Sequence, residues 1–129
     1  MTLKGGVDAT LLRRGLRLVH CLQKERGAAC SYVASNNASK DIRDLAPTRF
    51  ETDRALKMLE QSIAYTEAKR AIIDVSLEKI RNMLLDEHLH GTDSHRVLLC
   101  FNTLISAVTH DYILEQTAFQ RSLQTEEAA

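Results

Sequence analysis

Two arginines carry the clearest chemical signal in this chain. Arg26 lies in the run Gln23-Lys24-Glu25-Arg26-Gly27-Ala28-Ala29-Cys30, where the surrounding pattern expects an apolar residue. Arg49 opens a second segment, Arg49-Phe50-Glu51-Thr52-Asp53. A guanidinium offers a planar fork of N–H donors that matches a carboxylate or a planar oxyanion through two parallel hydrogen bonds. Two such groups at one level between helices repel unless an acid or an anion sits between them. Other constellations are weaker. His88, His90 and His95, with Asp86, Glu87 and Asp93, are of the right type for zinc, but their spacing around Gly91 matches no established metal motif and reads as a polar interhelical turn. Cys30 follows Arg26 by one helical turn, which opens two readings: a thiol acidified by a cation, or a small apolar filler. Arg13, Arg14 and Arg17 form a basic patch, either a solvated face or a contact for an acidic partner. No GxSxG, P-loop or paired-carboxylate pattern occurs, so neither an enzyme, a cofactor nor a metal is expected.

These residues must be positioned by helices. Five glycines and one proline in 129 residues leave few breakers. Leu12, Leu16, Val19, Leu22, Ala29 and Val33 recur at helical spacing, widened by Leu11 and Leu18, and predict a first helix from about 8 to 35 capped by Asp8. Ser-Asn-Asn-Ala-Ser then breaks it. Next, either Ser39 caps a helix that Pro47 kinks or whose first piece it ends, or Thr48 and Glu51 form a capping box that starts one at 48. The second and third apolar patterns, Phe50 to Ile63 and Ile72 to Leu84, form one rod or two helices over 48–88; the thin stripe between 64 and 71 favours a turn. Gly91 and Asp93 separate the last helix, which shows Val97, Phe101, Leu104, Ile105, Val108, Tyr112 and Phe119. The expectation is all-α: one domain over 1–129, ordered roughly over 8–121, built as an antiparallel four-helix bundle with long first and last helices.

With Leu12 at heptad position a, Arg26 also falls at a and lies in the seam. A buried guanidinium without a partner costs several kcal/mol. Gly27 beside it costs about 1 kcal/mol relative to alanine, which suggests a close approach to the backbone there. If the first two helices form a hairpin turning at Asn36-Asn37, residues whose numbers add to about 74 lie level, and Arg49 stands beside Arg26. Asp53, one turn beyond Arg49, is a candidate acid between them, while Glu25 points about 100° away from Arg26. Two readings stay open: an internal bridge from Arg26 to Asp53 or a glutamate, or a small-anion site between helices.

Composition sets the remaining bounds. With 44% hydrophobic and 26% charged residues the chain is globular rather than disordered. Basic and acidic residues balance at 17 each, although the first 35 residues are basic, with Lys4, Arg13, Arg14, Arg17, Lys24 and Arg26 against Asp8 and Glu25. That is a poor footprint for nucleic acid. Cys21, Cys30 and Cys100 are odd in number and form no CxxC, no apolar leader opens the chain, and no uncharged stretch reaches membrane-span length. The expectation is a cytoplasmic protein with no membrane contact.

Three segments together resemble a known family. Leu18-Val-His-Cys-Leu-Gln-Lys-Glu-Arg-Gly-Ala-Ala-Cys30, Arg49-Phe-Glu-Thr-Asp-Arg-Ala-Leu-Lys-Met-Leu59 and Phe101-Asn-Thr-Leu-Ile-Ser-Ala-Val108 occur in the order, and with the motifs, of the nitrate- and nitrite-sensing (NIT) domain family. The resemblance spans roughly residues 16–113, with Phe101 where the family often has tyrosine. It implies an all-helical sensing module whose arginines bind nitrate or nitrite and which signals to a fused or partner output. Arg26 and Arg49 match the family's arginines. The expected ligand-binding set is therefore Arg26, Arg49 and Gly27, supported by Glu25 and Asp53. The alternative is a ligand-free interaction or dimerisation module, with a homodimer possible in either case.

Overall fold

The computed structural model describes residues 9–35, 42–62, 67–86 and 93–111. Four α-helices are present: α1 (Ala9–Ala34), α2 (Ala46–Glu60), α3 (Glu67–Met83) and α4 (Ser94–Thr109), with a short 3₁₀ turn at Ile42–Leu45 leading into α2. The described residues contain no strand, and the helical bundle expected from the periodicity is present. The first helix is the longest, at 26 residues, because nothing between Ala9 and Ala34 interrupts it except two glycines, each costing about 1 kcal/mol. Asp8, Asn36, Asn37, Ser39, Gly91 and the extension of the last helix through Tyr112 and Phe119 lie outside the described residues.

The start of α2 differs from both expectations. Pro47 neither kinks an α-helix nor ends one, although the short 3₁₀ turn stops at Leu45 just before it. It occupies the first turn of α2, where a missing N–H loses no intrahelical bond. Thr48 is not a cap; its hydroxyl donates back to Leu45 O at 2.9 Å. The second and third patterns are separate helices, as the thin stripe suggested. They run antiparallel, since Arg70 bridges Glu60 while Arg81 bridges Asp53.

The helices pack in antiparallel sequence. Lys24 meets Glu51, Thr52 meets Cys21 and Arg14 meets Ser62, all close to the level that a hairpin centred on Asn36-Asn37 dictates. Thr52 is wholly buried, with its hydroxyl 3.0 Å from Thr48 O and 3.4 Å from Cys21 O, so α1 and α2 approach closely there. α1 lies between α2 and α4 and packs along both. Phe101 from α4, Leu18 and Leu22 from α1, and Leu59 from α2 form the fully buried centre. None of the described helices is long and apolar enough to cross a membrane.

The seam of α1 is one residue out of the expected frame. Its buried face is Leu11, Gly15, Leu18, Leu22, Glu25, Ala29 and Tyr32, with Cys21 and Val33 beside it. These positions follow a heptad with Leu11, not Leu12, at a. Leu12 and Val19 are half-buried and Leu16 is 48% exposed. The charge in the seam is therefore Glu25, and Arg26 sits at its edge.

Candidate functional site

Glu25 is 1% exposed, the most deeply buried charged residue among those described. An ionised carboxylate at such a depth requires a partner. Arg81, from α3 across the bundle, supplies it with a two-pronged fork: Nε donates to Oε2 at 3.0 Å and Nη2 to Oε1 at 2.9 Å. The same guanidinium reaches α2 twice, through Nη1 to Asp53 Oδ1 at 2.8 Å and through Nη2 to the carbonyl of Arg49 at 3.4 Å. Three helices are thus fastened by one side chain. Burial works against the charge on Arg81, but the Glu25 and Asp53 carboxylates outweigh it and raise its pKa.

Arg49 stands in this cluster unsatisfied. Its Nε and Nη2 are buried and have no hydrogen-bond partner among the described residues. Burial pushes its pKa down; Glu25 opposes that shift, Arg81 reinforces it, and Asp53 and Tyr32 oppose it in turn. Nε and Nη2 form the side edge of the guanidinium, the same edge that Arg81 uses to grip Glu25. One arginine has its fork engaged and its neighbour does not.

Arg26 is placed elsewhere. It is half-buried and donates from Nη1 to Asn102 Oδ1 at 2.7 Å, joining α1 to α4. It forms no bridge to Asp53, whose carboxylate is taken by Arg81, so the internal Arg26 salt bridge is replaced by a charged-to-amide hydrogen bond. The cation acting on Arg49 is Arg81, not Arg26. Gly27 is exposed, and a Cβ built on it would meet nothing within 4 Å, so no part of the described bundle approaches its backbone closely. Asp53 lies in the cluster, but its partner is Arg81.

The other candidates resolve simply. Burial pushes the Cys30 thiol up despite the opposing pull of Arg26, and its Sγ lies 3.7 Å from Ser94 O. That is a packed thiol rather than an acidified one. Cys21, Cys30 and Cys100 are all free. Of the histidines flanking Gly91 only His95 is described, exposed near the start of α4, and the described residues hold no group of three metal-donor side chains.

Arg81 was the residue missed in the sequence. Its only signal is position: it follows Leu77 by four and Ile80 by one on a helix whose buried face is Ile73, Leu77 and Ile80, so it flanks the core face with a reach that extends inward. Once it is placed, the motif segments converge. Glu25 and Arg26 come from the first, Arg49 and Asp53 from the second and Asn102 from the third, and the first segment touches the second through Lys24–Glu51 and the third through Arg26–Asn102.

The fold and this cluster define a helical bundle organised around buried charges held between its helices. The family for nitrate and nitrite sensing, NIT, matches residues 17–126, and the chain belongs to that family. Neither the curated proteins nor the solved structures compared with the chain gave a match.

Proposed function

We propose that this bundle is a sensing module that binds nitrate or nitrite at Arg49 and passes the occupied state to a fused or partner output. The family gives the sensing role. The observation that carries the finer reading is the buried Nε and Nη2 edge of Arg49 without a partner. Buried donors left unsatisfied each cost roughly 1–3 kcal/mol, and a planar oxyanion accepting from both relieves that cost with matched geometry. Arg81 adds a second positive charge in the same cluster, while its fork stays on Glu25. Arg26 acts one step away, as the tie from α1 to α4. Binding biases the packing of α2 against α1 and α3 because the anion stabilises one arrangement of Arg49 more than others. Nothing in this reading requires catalysis.

The test is isothermal calorimetry and thermal shift with nitrate, nitrite, sulfate and chloride, on the native chain and on Arg49→Met. Nitrate or nitrite should raise the melting temperature of the native chain and leave Arg49→Met unmoved, while Arg26→Met keeps a response. Absence of any nitrate- or nitrite-specific effect at millimolar concentration would refute it. That result would favour a ligand-free interaction module, which the charge balance of Glu25 and Asp53 against Arg81 and Arg49 also supports.

A further inference from the structure

The basic residues at the start of α1 stay clear of the buried cluster. Arg13, Arg14 and Arg17 form one wall of a groove of about 960 Å³ between α1 and α2, and Arg54 stands on the α2 side. Between these walls lie apolar side chains. Phe50 is 67% exposed and Met58 is 42% exposed, large apolar groups for a surface. Glu51 is the only acid among the described lining residues, and Lys24 holds it at 2.8 Å. Arg14 donates to the neutral Ser62 hydroxyl at 3.1 Å. Four guanidiniums therefore frame an apolar floor with almost no negative charge opposing them among the described residues.

An open channel between two antiparallel helices is the shape into which a third helix lays an apolar face. Arginine on both walls selects acids along the flanks of that helix, and Phe50 and Met58 select apolar side chains on its face. We propose that this groove docks an acidic amphipathic helix of a partner protein. A nucleic acid is a poorer fit, because the chain balances 17 basic against 17 acidic residues and lacks the overall basic field that a polyanion requires. A two-fold pairing of copies through this groove would set like-charged walls against each other.

The probe is a fluorescein-labelled peptide of about 20 residues, helical, with leucine on one face and glutamate on its flanks, read by fluorescence anisotropy. A matched peptide carries lysine for glutamate. The native chain should bind the glutamate peptide in preference to the lysine peptide, with affinity falling as salt rises. The variant Arg13→Glu/Arg17→Glu/Arg54→Glu changes only exposed positions and should weaken the glutamate peptide about tenfold or more. Phe50→Ser should weaken it while keeping the charge preference. Circular dichroism verifies that both variants are folded. No binding, equal binding of the two peptides, or indifference to the triple variant overturns the proposal. So does tighter binding of a single-stranded oligonucleotide that the triple variant abolishes, or a dimer in sedimentation that it dissolves.

Discussion

Removing Arg81 tests the structural account of the buried cluster most directly. In Arg81→Met the Glu25 carboxylate, 1% exposed, loses both of its hydrogen bonds from the guanidinium. Breaking a buried pair by deleting one partner costs about 3–5 kcal/mol, because the remaining charge stays desolvated. Two features place the expected loss near the lower end. Arg49 lies in the same cluster with its fork unengaged and can turn part of it toward Glu25. Asp53, 58% exposed, re-solvates on losing Arg81, so that arm contributes about 0.2–1 kcal/mol. A loss of about 3 kcal/mol in a chain of this length corresponds to a fall of about 10 °C in melting temperature. Urea denaturation followed by far-UV circular dichroism measures it. Asp53→Asn should cost less than about 1 kcal/mol. The double variant Glu25→Leu/Arg81→Leu should cost less than Arg81→Met alone, since it leaves no bare carboxylate in the seam. A loss below about 1 kcal/mol for Arg81→Met, or a double variant as costly as the sum of its singles, would refute the view that Glu25 depends on this fork.

Three further outcomes follow from the same geometry. Gly27→Ala should stabilise the chain by about 0.4–1 kcal/mol, because the site is helical and open, and denaturation midpoints would show it. A double-mutant cycle on Arg26→Met and Asn102→Leu should return a coupling of about 1 kcal/mol, the value of one partly buried charged hydrogen bond, and near-zero coupling would detach α1 from α4 at that point. Without added anion, Arg49→Met should leave stability unchanged or raise it, since buried N–H groups without partners are replaced by an apolar chain; a large loss would mean that Arg49 is already satisfied.

The helices and their hairpin register were legible because they rest on many residues at once. The level rule set Arg49 opposite the stretch around Glu25 and Arg26 correctly, as the Lys24–Glu51 contact attests. What failed was the frame of α1. Its true seam contains Gly15, Glu25, Ala29 and Tyr32, whereas the neighbouring stripe shows Leu12, Leu16 and Val19. A buried charge erases the apolar signal that would reveal it, so the pattern drifted toward the partly wet side and promoted Arg26 in place of Glu25. Arg81 was invisible for a different reason. Its partners Glu25 and Asp53 lie 56 and 28 residues away in the chain, and no local spacing encodes a contact across the diagonal of a bundle. The family motifs marked the segments that carry this charged cluster while leaving open which arginine faces which acid.

α3 is attached unlike its neighbours. Its apolar packing is mainly on α4 and is sparser than the packing of α1 against α2 and α4, while its ties to α1 and α2 run through the ends of Arg70 and Arg81. Such an element opens as its own cooperative unit, below the free energy of global unfolding. Amide protons of Glu67–Met83 should exchange with solvent ahead of those in the centre of α1, and raised ionic strength should speed the Arg70 end more than the sheltered Arg81 end. The bundle then consists of a firm three-helix body and one looser stave, latched at its sheltered end by the guanidinium of Arg81 beside the unsatisfied Arg49.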